Sequence, residues 1–580
     1  MALALLCIVV AAVNLASEVT MQSARYTRRS ADTEAAVATA DGYLDWAYDY
    51  WITTCRLHGN VAWTDFSLLT QPPATALVQP KGYTVGSFAI TAVDPQMKAL
   101  QGNPPVAVSG QMPSLGDQAY FYIASVDLLI PTSSAAHPTI KVEGRRIFQK
   151  TLSSPWQYAI FYNDELEIHP SPVFSVTGKV HTNDKLYASP DGGNSLTFQS
   201  PFLEYSVPPP APNVVDGYDP VDALRRGKAQ AGAANTYSSP PVQASRQDPF
   251  GISPSSFDLT NPNTSDQYRE LIERPDTTAT DTFSSGLDQN GNPINPRYYN
   301  AADIKVLIDA NNVITVIQGT GPTGTTLQST DPTYKAVAAA LTTNQSIQDF
   351  REAAQVRLVT LDVSQLNTQL ANSQVAGWNG VIYITDTSAG QTGGAPKRGV
   401  RVKNGATIPK GGITVVSDNP VYVQGDFNTT FTGTRPPSAL VGDAINVLSN
   451  AWQDVNSSAS LSSRVATSTT VNAAFLSGIV PTTGTTASNA SYSGGVENFP
   501  RFHEDWSGGK TFTYNGSMVE LFYSKQAIGQ WGKASYNPPV RNWAFDTVFL
   551  TTPPPGSLMT TKYSKQTWSS HSYAQSPSKP

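Results

Sequence analysis

"PWQYAIFYNDELEIHPSPVFSVTGKVHTNDKLYASPDGGNSLTF" covers residues 155–198. It is a chain of very short β-branched or aromatic segments. Gly, Asn, Asp or Pro closes each one. The readable strands fall at 173–176, 179–181, 185–187 and 196–198. Strands of about five residues cannot bury a core alone. They suit a coil of a β-solenoid, whose rungs stack on one another, or a set of tight hairpins.

The same texture returns downstream. "GVIYITD" (380–386), "GVRVKNG" (399–405), "GGITVVSDNPVYVQGDF" (411–427) and "ALVGDAINVLS" (439–449) are apolar runs ended by Gly, Asn or Asp. Their starts lie about 8 to 20 residues apart, which parallel rungs could stack. The uneven period leaves a sandwich open. Within "ALVGDAINVLSNAW" (439–452), Asp443 has no acid or His partner nearby. It is expected to hydrogen-bond backbone at a turn, on a buried rung edge or a short capping helix.

Other stretches surround the rungs. "YTVGSFAITAV" (83–93) and "AYFYIASVDLLI" (119–130) read as strands. "SVPPPAPNVVDGYDP" (206–220) is a Pro-rich linker or loop. Residues 221–372 read as a mixed insertion. "NAADIKVLIDANNVITVI" (300–317) gives two strands about a turn at 310–312. "DPTYKAVAAALTT" (331–343) and "SIQDFREAAQVR" (346–357) read as helices, the second with Ser346 as N-cap.

The first residues are of another kind. An apolar run extends from Ala2 to Ala16, short of the roughly 20 residues that span a bilayer. From Ala31 to Trp51 there is no Pro, and Val37, Ala40, Leu44, Ala47 and Trp51 recur at helical steps. The pattern predicts one helix, apolar first and amphipathic second. Its membrane anchor would be Leu3, Leu5, Leu6, Ile8, Val9, Val10, Val13 and Leu15. A signal peptide is the rival reading, but no Lys or Arg precedes the run. Arg25, Arg28 and Arg29 follow it, so an exported body implies further basic residues upstream. Cys7 and Cys55 on one helix would be too far apart to pair.

The fold class is therefore mainly β with a long N-terminal α-helix, a β-solenoid or β-helix-like body and an α+β insertion. The expected division is 1–58 (helix), 59–205 (β-rich, first rungs), 206–375 (linker and insertion), 376–460 (rungs) and 461–580 (β and loop). Charged residues make up only 14 %, well below the usual share of about a quarter, which suits a protein outside the cytoplasm. The net charge of −6 comes without a basic stripe, which argues against nucleic acid as a partner.

Chemistry is thinly signalled. The six His show no zinc spacing, so neither metal nor cofactor is expected. His181 beside Asp184 reads as a surface hydrogen bond. "FHEDW" (502–506) reads as a turn anchored by Phe502 and Trp506, because neighbouring acids on a strand face opposite ways. "LDQNGNPIN" (287–295) places Pro293 where a calcium loop needs Gly, so it reads as a turn.

Several segments resemble bacterial PilX-like, prepilin-type pilus-assembly proteins. They are "QYAIFYNDELEIHPSPVFSVTGKVHTNDKLY", "GGITVVSDNPVYVQGDFN", "ALVGDAINVLSNAW" and "YSGGVENFPRFHEDW", together with the N-terminal helix. The resemblance implies a non-enzymatic envelope protein, inner-membrane anchored, with an exported body. It would be a minor component or assembly factor of a type IV pilus-like or secretion fibre. Its partners would be the membrane and other pilin-like subunits. It implies no catalytic residues. A polysaccharide-binding adhesin and a β-helical polysaccharide-degrading enzyme are the alternatives. The early Glu of the prepilin pattern is missing; the first Glu is Glu18.

Overall fold

The computed structural model describes residues 2–57, 66, 69, 82–93, 108–109, 118–131, 139–170, 173–190, 193–208, 234–244, 246–247, 267–275, 297–373, 378–388, 397–482, 493–532, 535–557, 560–566 and 570–575. The side chains of residues 2–7 lie outside that description, as do residues 209–220 and 287–295. The chain is mostly β with one long helix. It divides into two compact units: Met1–Leu152 with Thr561–Pro580, and Ser153–Thr560.

In the first unit the N-terminal helix α1 runs unbroken over Ala2–Leu57. Its 56 residues make it about 84 Å long. Ala36, Ala40, Tyr43, Leu44, Ala47, Trp51 and Cys55 are each at most 1 % exposed. They recur at three- and four-residue steps, so they form one stripe. The stripe lies on an antiparallel sheet of β1 (Thr84–Val93), β2 (Val108–Ser109), β3 (Gln118–Pro131) and β4 (Thr139–Ser153). Every second residue of β3, from Tyr122 to Ile130, is buried beneath it. Gly144 on β4 allows the close approach. A Cβ there would meet the Ala40 Cβ at 3.1 Å and Leu44 Cδ1 at 3.4 Å. Trp51 packs edge-on against Tyr122, ring centres 5.2 Å apart. Full burial of a side chain such as Leu44 contributes about 2 kcal/mol.

Strands from the far end of the sequence complete this sheet. Thr560–Lys565 lies beside β4, and Ser570–Gln575 pairs with it antiparallel. The second unit is thus an insertion between two neighbouring strands of the first.

In the second unit the chain passes repeatedly between sheets. Val381–Asp386 belongs to a 12-stranded sheet, and Lys397–Lys403 to a 6-stranded one. Ile413–Val416 returns to the first, Val421–Gln424 to the second, Ser438–Gly442 to the first and Ile445–Leu448 to the second. Neighbours along each run are parallel and in register. A further parallel set, Thr469–Asn472, Thr511–Gly516 and Val540–Phe545, joins later in the chain. Among the described residues no sheet closes into a barrel.

The central strands of the 12-stranded sheet are buried on both faces, so they read as continuous apolar runs. Ile382 and Ile384 face Val400, Val402, Val421 and Val423. Val381 and Tyr383 face the other way, toward Tyr268, Leu271 and Ile272.

Two expectations need correcting. Residues 346–357 are not helical. Leu341–Asp349 and Ala354–Asp362 form an antiparallel hairpin. The Asp349 carboxylate accepts from the backbone N–H of Arg351 and Glu352, closing the turn, and Ala353 takes φ 50°. That cap outcompetes the one expected of Ser346. Nor does 439–449 contain a capping helix. It holds two buried strands on different sheets, with Asp443 at the corner between them.

Candidate functional site

The least protected apolar surface among the described residues lies on α1. Ile8 is 66 % exposed, Val13 61 % and Leu15 65 %. Val9, Val10, Val19 and Met21 are exposed as well. Residues 8–31 are exposed throughout, and burial begins only at the docked stripe. The expected anchor residues Ile8, Val9, Val10, Val13 and Leu15 therefore sit on a free helix. Leu3, Leu5 and Leu6 have side chains outside the description. Among the described residues no helix is long and apolar enough to cross a membrane. Cys7 and Cys55 lie on the same continuous helix, about 72 Å apart along its axis, so they cannot bond to each other. The Cys55 thiol is free and buried, and burial pushes it up to about 11.

The polar clusters lie elsewhere, in the second unit. Asp443 is fully buried. Its Oδ1 accepts from the Lys525 N–H at 2.8 Å and from the Arg269 guanidinium. Its Oδ2 accepts from the N–H of Gln526 at 3.0 Å and of Ala527 at 2.7 Å. The expected backbone bonding is present, and the arginine is an addition the sequence did not signal.

His181 pairs with Glu204 rather than Asp184, Nδ1 lying 3.0 Å from Oε2. The parallel register sets Glu204 directly beside His181. The ring is buried, and Nε2 lies 3.0 Å from Asn183 Oδ1.

"FHEDW" runs off the end of the strand Pro500–Phe502, and its side chains go to different partners. Phe502 and Trp506 are buried and meet edge-on, with ring centres 5.6 Å apart. Glu504 accepts from the Ser449 N–H at 2.6 Å and its hydroxyl at 2.7 Å. Burial lifts its carboxyl to about 6. Asp505 turns instead to Asn537 Nδ2 at 2.8 Å.

His503 belongs to a group that no local spacing reveals. Its Nε2 lies 2.9 Å from Asn446 Oδ1, and its Nδ1 lies 3.8 Å from Asp349 Oδ1. The Tyr422 hydroxyl donates to Asp349 Oδ2 at 2.8 Å. Burial lowers the His503 pKa. The signal that would have found the group is cross-strand register. Thr360, Arg401, Tyr422, Asn446 and Arg501 stand side by side across the 6-stranded sheet.

Among the described residues these polar groups are engaged with one another and with backbone. A cavity of about 30 Å³ between Phe174, Tyr514, Met518 and Trp543 holds roughly one water. Among the described residues no cluster of His, Cys, Asp or Glu could hold a metal ion. The arrangement can bond parts of the fold to one another, whereas the exposed apolar residues of α1 are left without such a role among the described residues.

No family model and no curated protein matches the chain. Among solved structures, the competence-associated pilin ComZ from Thermus thermophilus is similar at 10% identity. The alignment covers 92% of this chain and 97% of that one, with a TM-score of 0.29. A TM-score that low does not establish a common fold.

Proposed function

We propose that the chain is a non-enzymatic envelope protein of a type IV pilus-like or secretion fibre. It acts there as a minor subunit or assembly factor. One observation carries the reading: α1 is split. Its second half is stapled to an antiparallel sheet, while Ile8–Met21 presents exposed apolar side chains on which nothing packs among the described residues. An exposed apolar surface of that extent marks a contact with lipid or with other chains. The free half serves as the membrane anchor before assembly and as the bundling element within a fibre. The sequence segments that resemble PilX-like proteins point the same way.

In this reading the second unit is a solenoid-type body. Its support is the repeated passage of the chain between stacked parallel ladders. Such a body presents its outer surface outside the cell.

Fractionation of the native host tests the proposal. Surface filaments are sheared off, membranes and cytosol are separated, and peptides from residues 380–450 are sought in each. Recovery from the sheared or membrane fraction supports the reading. Replacing Val10 and Val13 with Glu should release the chain from both fractions while its melting profile stays unchanged. A purely cytosolic wild type overturns it.

A further inference from the structure

The second unit contains a seam between its earliest and its latest strands. Tyr158–Tyr162 pairs in parallel with Met518–Tyr523, and the facing residues Asn163 and Glu520 stand 357 positions apart in sequence. Three sets of strands meet there, and only one continues across. The 12-stranded sheet crosses through the pairs Met518–Ile160, Val519–Phe161 and Glu520–Tyr162. The 6-stranded sheet ends at Pro500–Phe502, while Leu166–Ile168 and Leu186–Ala188 form a separate pair on the early side. The turn Val496–Asn498 lies against both. The third set ends at Val540–Phe545, and Phe174–Val176 belongs to another three-stranded sheet. Across that last gap the Phe545 N–H donates to Thr177 Oγ1 at 2.7 Å. The cavity of about 30 Å³ lies in the same gap, between Phe174 and Val176 on one side and Tyr514, Met518 and Trp543 on the other. The seam is thus a plane with fewer backbone bonds and looser packing than the ladders on either side.

Three glutamates, each at most 5 % exposed, span it. Glu520 Oε2 accepts from the N–H of Asn163 at 3.0 Å and of Asp164 at 3.1 Å. Both carboxylate oxygens of Glu497 lie 3.2 Å from the His169 nitrogen, whose N–H donates to them. From the early side, Glu167 Oε2 accepts from the Thr482 hydroxyl at 3.0 Å and the Ser493 hydroxyl at 3.5 Å. Among the described residues neither Glu520 nor Glu497 is in an ion pair. Glu520 faces Asp164, Tyr162 and Tyr523. Glu497 faces Arg541, His169, Tyr162 and Tyr536, but the Arg541 guanidinium donates to its backbone carbonyl and not to its carboxylate. Burial and all three carboxylates push the Tyr162 hydroxyl well above its usual range.

Each carboxyl can take a proton without giving up its bond across the seam. Glu520 Oε1 has no hydrogen bond among the described residues, so it can carry the proton while Oε2 keeps both N–H groups. One oxygen of Glu497 suffices for His169. The hydroxyls facing Glu167 can turn to accept. Burial raises Glu520 well above the usual 4.5 and raises Glu497 as well. Protonation therefore favours the closed seam. That contribution is complete below about 4.5 and is lost as the pH rises through the raised values.

We propose that the seam is a proton-operated latch: protonated Glu520, Glu497 and Glu167 hold residues 158–205 against the late strands, and ionisation lets that early segment open as a unit while 381–448 stays folded. Acid closes the latch and alkali loosens it. Nothing in it depends on the fibre reading.

Hydrogen exchange of the full chain at pH 5 and pH 8 tests this, read as protection factors so that the intrinsic rate cancels. Between the two, protection over 158–205 should fall about tenfold more than over 381–448. Glu520→Gln with Glu497→Gln copies the protonated forms and should remove that difference. Glu497→Gln alone is a milder version and should reduce it. Glu504→Gln, a buried carboxyl away from these contacts, should leave it intact. An equal loss over both segments in the wild type would mean opening of the whole unit and would overturn the latch. A difference that persists undiminished in the Glu497 and Glu520 variants would assign it to other groups and overturn the latch as well.

Discussion

Arg269 and Asp443 lie 174 positions apart in sequence, and the guanidinium of one donates to the fully buried carboxylate of the other. The same carboxylate gathers three backbone N–H groups from residues 525–527. One side chain therefore ties a strand corner, a distant 3-10 turn and the segment after Met518–Tyr523 to one another. Replacing Asp443 with Asn keeps the shape and removes the charge. Arg269 would then keep Glu273 at 3.0 Å as its remaining acid in contact. The expected cost is about 3 kcal/mol, read as a lower urea midpoint at unchanged slope. A midpoint within error of the wild type would show that the pair contributes little.

Glu504 gives a pH dependence with a definite sign. Its folded-state value is about 6, raised chiefly by burial, against an ordinary value of 4.5. The folded protein therefore favours the protonated carboxyl. The stability this contributes is complete below about 4.5 and is lost as the pH rises through about 6. The span amounts to about 2 kcal/mol. Glu504→Gln should be more stable than the wild type at pH 7.5 and close to it at pH 4. A Gln can meet both Ser449 groups, because that hydroxyl can turn to accept. Thermal melts of both proteins at the two pH values decide the matter; a constant difference would contradict it.

Gly144 should tolerate little. A Val there presses into Ala40 and Leu44 and pushes α1 off β4. The expected loss is about 2 kcal/mol. Combining Gly144→Val with Leu44→Ala should recover part of it, and an additive result would place the clash elsewhere.

Trp51→Ala removes the largest side chain of the docked stripe and should cost about 4 kcal/mol. Amide hydrogen exchange should quicken over residues 36–57 and across β3. Equal protection in mutant and wild type would mean that the rest of the stripe, Tyr43 and Leu44 included, holds it without Trp51.

What could be foreseen depended on how local the cause was. The strands at 381–386, 397–403, 413–416 and 421–424 were legible because strands buried on both faces, in either of the two large sheets, leave apolar runs in the sequence. The docked half of α1 was legible through the spacing of Ala40, Leu44, Ala47 and Trp51. The hairpin at 341–362 was not, because helix-forming residues fill its turn and the deciding bond comes from Asp349. The partners of Asp443, His181 and His503 were not legible either. Each is brought in by register between strands distant in sequence.

Because the second unit is inserted between β4 and Thr560–Lys565, the two units cannot mature in their order of synthesis. The ribosome must deliver Ser153–Thr560, which is 408 residues, before the strands that finish the first sheet emerge. At usual elongation rates that takes about 20 to 80 seconds. Throughout that interval the N-terminal head has its helix but bears an open flank along β4, where stray strands could pair. The second unit is therefore complete before the first. A chain cut short anywhere in the body leaves that flank unsealed, which gives quality-control machinery a direct mark of an unfinished subunit.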